Sequence, residues 1–327
     1  MERMLHTPDG VRDSYGEELR RKKKVMRSID DLFDRYGYDP IDTPSIEFFD
    51  VFSKEVGTTA SRELYKFFDR DGNTLVLRPD FTPSVARAAA MYFSEEERPL
   101  RFYYEGNTFI NSHEYQGRLK ESTQMGVELL GENSVEADAE IIALTVESLK
   151  TAGLNEFQVS IGHVDFFKAL VADTNLTDDQ IEEIRSLISS KNFFGVETLL
   201  DNLNMCDARK RALVSLPQLF GDAEVLEAAR ELAINERAQA SLERLEGIYA
   251  LLKEKGMEDY VSFDFGALSK YRYYTGIIFQ AFAYGSGEAV AKGGRYDTLL
   301  GYFGKDDAAV GVGISIDLLM NCLRRKR

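Results

Sequence analysis

Apolar side chains at Met26, Ile29, Phe33 and Tyr36 recur every three or four residues through a stretch otherwise rich in Arg, Lys, Asp and Glu. Residues 17–36 therefore predict an amphipathic helix, closed by Gly37. The period shortens to that of strands in TLVLRPD (74–80), RFYYEGNTF (101–109) and TQMGVELLG (123–131). In the last of these, Gln124 and Glu128 are an even number of residues apart and so share one face. EADAEIIALTVESLKTAG (136–153) predicts a helix with Gly153 past its end, and FQVSIGHV (157–164) another strand.

From about 168 to 255 the pattern is helical, with loop breaks and almost no β-branched runs. Thr177 and Gln180 have capping-box spacing ahead of an apolar face of Ile181, Ile184, Leu187 and Ile188. Strands return at 260–268 and 273–284, and residues 311–323 read as a strand running into a helix. Two shorter stretches stand apart. LRPDFTPSVAR (77–87) leaves a strand and enters a helix, with Thr82 placed as N-cap before Pro83. GGRYDTLLGYFG (293–304) is glycine-rich but lacks the Lys of a P-loop and the GxGxxG spacing, so it reads as a turn. The order of elements predicts an α+β fold: a core from residues 1–167 and 256–327 around an antiparallel sheet flanked by helices, and a helical insertion at 168–255.

Charge narrows the functions open to such a fold. The 327 residues carry a formal charge of −15, which repels a nucleic-acid backbone. The run Arg20-Arg21-Lys22-Lys23-Lys24 lies on the first helix, where it fills a solvated face. No window reaches the 18 or so consecutive apolar residues of a membrane span, and MERMLHTPDGVRDS lacks the apolar segment of a secretory signal. Cys206 and Cys322 make no disulfide framework, which fits a cytoplasmic protein, and Asn175-Leu176-Thr177 is then a chance sequon. His6, His113 and His163 have no metal-ligand spacing and no nearby cysteine, so neither a metal nor a cofactor is expected.

TPDGVRD, IDTPSIEFFDVF around Pro44, FFDRDGNTLVLRPDFT, GRLKESTQMGVE, YYTGIIF, GGRYD and AAVGVGISIDLL together resemble, in this order, a class II aminoacyl-tRNA synthetase core, most of all histidyl-tRNA synthetase. The likeness covers roughly residues 7–167 and 256–320. It implies a largely antiparallel sheet, a dimer through the first motif and a ligand site on the sheet face. It also implies a histidine site at Asp80 (where the synthetase has glutamate), Thr82, Gln124, Glu128, Tyr273 and Tyr274. A carboxylate and an amide oxygen accept the N–H donors of an ammonium, and an acid with a tyrosine holds both imidazole nitrogens.

The three arginines that hold ATP in the synthetase have no counterpart. Ile110, Ser269 and Leu318 stand in their places, although Lys270 and Arg272 lie close by in the sequence. Adenylate chemistry depends on cations placed where negative charge develops, and losing one such donor costs about a hundredfold to a thousandfold. A histidine site without ATP arginines resembles the regulatory subunits of ATP phosphoribosyltransferase. That family implies no catalysis of its own, a short-form catalytic subunit as partner, histidine as effector, and a homodimer within a hetero-oligomer. Neither tRNA nor a membrane is an expected partner. Two other readings stay open: a divergent histidine-activating enzyme that charges an acceptor other than tRNA, drawing on Arg118, Lys120 or Arg272, and a scaffold with a vestigial pocket.

Overall fold

A computed structural model describes residues 5–53, 59–111, 119–203, 205–268 and 273–324. Helix α1 (Gly16–Arg35) leads to the short strand β1 (Asp39–Pro40) and to a small sheet of β2 (Ile46–Phe48), β3 (Lys66–Phe68) and β4 (Thr74–Leu77). Helix α2 (Thr82–Tyr92) precedes the hairpin of β5 (Leu100–Phe109) and β6 (Glu121–Leu130), followed by α3 (Val135–Thr151) and β7 (Phe157–His163). Between β7 and β9 (Val261–Asp264) run α4 (Val164–Val171), α5 (Asp178–Ser189), α6 (Phe193–Asp201), α7 (Asp207–Ser215), the two-residue β8 (Phe220–Gly221), α8 (Val225–Leu232) and α9 (Glu236–Glu254). The described chain closes with β10 (Ile277–Ala283), β11 (Ala289–Arg295), β12 (Ala309–Ser315) and α10 (Ile316–Arg324).

The large sheet has nine strands in the order β1-β5-β6-β12-β11-β10-β7-β9-β8. Its pairs are antiparallel except β1 with β5 and β7 with β9. Strand alternation decides which layer each side chain joins. Met125, Val127 and Leu129 of β6 enter the main core with α1, α3 and α4–α9. Gln124 and Glu128 alternate with them and so face the other side, where Phe81, Val85, Phe102, Tyr104, Tyr273 and Tyr296 form a smaller apolar layer. No described helix is long and apolar enough to cross a membrane.

Four expectations need correction. Gly293–Arg295 belong to β11 rather than to a turn. Glycine stands there because a Cβ on Gly293 would overlap the Phe279 ring and the Gly311 carbonyl across the sheet. Thr82 is the first residue of α2 and not its cap; Phe81 occupies the cap position without a side-chain bond. The basic run is only partly solvated, since Lys22 pairs with Asp317 at 2.8 Å and Arg21 donates to the Leu323 carbonyl at 3.1 Å. The strand expected at 273–284 starts at Ile277, which leaves Tyr273 and Tyr274 on the segment entering it. The capping box at Thr177 and Gln180 is formed as expected.

A candidate amino-acid-binding site

The site face is built by three neighbouring strands. Glu128 on β6 lies opposite Gly311 on β12 and Phe102 on β5, while Gln124 lies opposite Ser315 and Gly106. A Cβ on Gly311 would overlap the Glu128 carboxylate, and one on Gly313 would overlap the Gln124 amide. The glycines of AAVGVGIS thus make room for two polar side chains to lie flat on the sheet. Helix α2 closes the face from above and delivers Thr82 and, just before it, Asp80.

Glu128 is 1% exposed, and Thr82 Oγ1 donates to its Oε1 at 2.6 Å while the Tyr296 hydroxyl donates to its Oε2. Burial raises its pKa from 4.5 to about 8, and the neighbouring Asp80 charge pushes the same way; the two hydroxyl donors work against them. Among the described residues, no basic side chain is one of the groups shifting this carboxyl. A buried carboxyl with two hydroxyl donors and no cation among the described residues suits a ligand that brings its own N–H groups.

Asp80 Oδ1 accepts from the Phe81 N–H at 2.8 Å and from Gln124 Nε2 at 3.3 Å; Gln124 Nε2 also donates to the Tyr104 hydroxyl at 3.1 Å. The Gln124 carbonyl oxygen and the Asp80 carboxylate therefore supply acceptors side by side. Burial and the charges of Glu128 and Asp80 hold the Tyr104 hydroxyl well above its usual pKa, so it stays protonated. The walls are aromatic. Phe81 stacks on Tyr104 at 4.3 Å, Arg78 lies over Phe81 at 3.8 Å, Tyr273 packs on Tyr274 at 4.4 Å, and Tyr273 meets Tyr296 edge-on at 6.1 Å. Arg78 is held by the carbonyls of Thr43 and Asn107 and so forms part of the wall.

The structure joins Asp80 to Gln124 and Thr82 to Glu128, and links Tyr273 and Tyr274 to Glu128 through Tyr296. It does not bring Ile110 or Leu318 into that set. Ile110 follows β5, half-buried, its N–H donating to the Lys120 carbonyl at 2.8 Å; Leu318 packs on the main core. Ser269 lies outside the described residues, with Lys270 and Arg272. Sequence reasoning missed Tyr296. The signal was present in GGRYD, but only the strand pairing of Gly293–Arg295 shows that the next residue reaches over to Glu128.

A model of the family described as histidyl-tRNA synthetase matches residues 10–319. An ATP phosphoribosyltransferase regulatory subunit from Acetivibrio thermocellus is 40% identical over 323 residues, covering 99% of this chain and 77% of that protein. Its counterpart from Thermoanaerobacter pseudethanolicus is 39% identical over 324 residues, covering 99% and 84%. Among solved structures, an ATP phosphoribosyltransferase regulatory subunit/histidyl-tRNA synthetase from Bacillus halodurans superposes with a TM-score of 0.91 at 35% identity, over 98% of this chain and 83% of that one. A histidyl-tRNA synthetase from Nostoc sp. PCC 7120 shares the fold, with a TM-score of 0.82 at 20% identity, over 98% of this chain and 76% of that one. The architecture is thus the histidyl-tRNA synthetase-like, class II fold. Within it, the chain belongs to the family of ATP phosphoribosyltransferase regulatory subunits, whose name is that of a regulatory and not a catalytic component.

Proposed function

We propose that this chain enables a short-form ATP phosphoribosyltransferase catalytic subunit, which transfers phosphoribose from PRPP to ATP in the first step of histidine biosynthesis, and that it reports histidine to that subunit. The observation that carries the proposal is the buried Glu128 carboxyl, held by Thr82 and Tyr296 beside the Asp80–Gln124 pair. Its acceptors fit the imidazole and ammonium of free histidine. The cations that adenylate formation needs are missing at Ile110 and Leu318, and by sequence at Ser269.

Feedback requires histidine to favour one state of the complex, because equal affinity for both shifts nothing. Tyr296 is the mobile part in this proposal: histidine competes for the Glu128 oxygen that its hydroxyl now holds. In the same proposal the chain is cytoplasmic, binds no tRNA, and divides into a core of 1–167 and 256–327 with an insertion at 168–255. It also forms a homodimer through the first motif. In support, Ile46, Phe48, Phe67, Leu75 and Leu77 fall by strand register on one face of the small sheet, with Ile46 and Phe48 at least half exposed.

Calorimetry with histidine tests the pocket: saturable binding is expected, weakened at least about tenfold by Glu128→Gln, since a hydrogen bond to a charged group contributes about 1.5–3 kcal/mol. Pyrophosphate exchange with ATP and histidine is expected to be absent. Exchange activity would transfer the chain to the histidine-activating enzymes, and failure to bind histidine would make the pocket a relic.

A further inference from the structure

A cavity of about 240 Å³ lies where α9 passes the ends of β7, β10 and β11, lined by His163, Asp165, Arg237, Arg244, Thr275 and Asp297 among others. None of the residues joined around Glu128 lines it. Its carboxylates are already engaged. Asp138, fully buried behind the wall, is gripped by Arg244 at 2.5 Å and Arg295 at 2.7 Å. Asp297 accepts from Arg295, Thr275 and the Ala309 N–H, and Asp165 pairs with Arg237 at 2.8 Å and Lys168 at 3.8 Å.

The donors are not used up. Arg244 spends Nε on Asp138 and Nη2 on the Ser134 carbonyl, which leaves Nη1 without a partner among the described residues. Arg237 spends only Nη2 there, leaving Nε and Nη1. His163 is 7% exposed, and its Nδ1 accepts from the Asp165 N–H at 3.3 Å, which puts the ring proton on Nε2. Burial lowers its pKa to about 4, so that proton sits on a neutral ring at pH 7; the Asp165 charge works against this, and the Arg244, Lys168 and Arg295 charges add to the lowering. Three arginines (Arg237, Arg244, Arg295) and two carboxylates (Asp165, Asp297) line the cavity; Asp138 behind the wall balances them, and Lys168, outside the lining and 3.8 Å from Asp165, adds one further positive charge.

We propose that this cavity binds a small oxyanion, a phosphate or a carboxylate, through the free guanidinium edges of Arg237 and Arg244 and the Nε2–H of His163. Charge-assisted bonds from planar guanidinium groups suit either oxyanion. The volume is below the roughly 300–1,000 Å³ of pockets for drug-sized ligands, which favours a single small group over a nucleotide. The site is separate from the histidine pocket, and its occupancy does not depend on the function proposed above.

The test follows the imidazole NMR signals of the intact chain, which has three histidines, during titration with inorganic phosphate, pyrophosphate and acetate at constant ionic strength, with chloride as control. Saturable movement of the His163 signal is expected, with about a tenfold weaker midpoint in Arg237→Gln, a half-exposed position whose loss leaves the buried Asp138 pairs intact. Saturation by phosphate or pyrophosphate alone identifies a phosphate site; saturation by acetate alone identifies a carboxylate site. No saturable shift, the same shift with chloride, or an unchanged midpoint in Arg237→Gln overturns the proposal.

Discussion

Glu128 carries the most consequential single-residue chemistry in the chain. Its folded pKa of about 8 exceeds the ordinary 4.5, so between those values the folded chain keeps a proton that the unfolded chain releases. Stability is therefore expected to fall as pH rises through that window and to level off above it. Glu128→Gln should flatten this part of the profile and make the unliganded protein more stable than the parent at pH 8, as read by urea denaturation at several pH values. An unchanged slope would mean that the carboxyl is not held protonated. The residue's place on the sheet face was legible in the sequence, because its spacing from Gln124 sets both on one side of the strand. Its contact with the Tyr296 hydroxyl was not legible, since that depends on which side chains the fold brings near it. Thr82 illustrates the difference: its local sequence favours an N-cap, but its hydroxyl is taken by Glu128 from across the layer.

At the scale of elements, the glycines of β12 and the charge cluster under α9 hold the site in place. Gly313→Ala would drive a methyl into the Gln124 amide, and a shift of that side chain breaks its bond to Asp80. The expected outcome is loss of histidine binding with the fold retained, seen as a flat calorimetric trace beside an unchanged circular dichroism spectrum. Asp138 ties α3 to α9 through Arg244 and to β11 through Arg295, and it is fully buried. Breaking a buried pair by removing one partner typically costs about 3–5 kcal/mol, so Asp138→Ala should lower unfolding stability by about that amount. The long periodic elements were readable from sequence because one face of each is buried, as in α1, β5 and β6. The short strands β2 and β3 were not, since three residues give alternation too little length to register. The extent of β11 was hidden by its glycines, which tertiary contacts require and strand propensity disfavours.

For the whole molecule, the surface distinguishes among partners. A net charge of −15 opposes tRNA, while the apolar face of Ile46, Phe48, Phe67, Leu75 and Leu77 favours protein contact. Phe48→Lys, at an exposed position of that face, should shift the chain toward monomer in sedimentation equilibrium, and an unaltered mass would place the dimer contact elsewhere. Helix α4, which leads out of β7, reaches back to the pocket where Lys168 donates to the Tyr274 carbonyl at 3.2 Å. In the function proposed above, this chain activates a catalytic partner and relays histidine to it. The most direct measurement is phosphoribosyl transfer from PRPP to ATP by the short catalytic subunit of the same organism, with and without this chain and with and without histidine. The expected result is activity that needs the chain, falls on adding histidine, and resists histidine when the chain carries Glu128→Gln. Activity indifferent to the chain would contradict it.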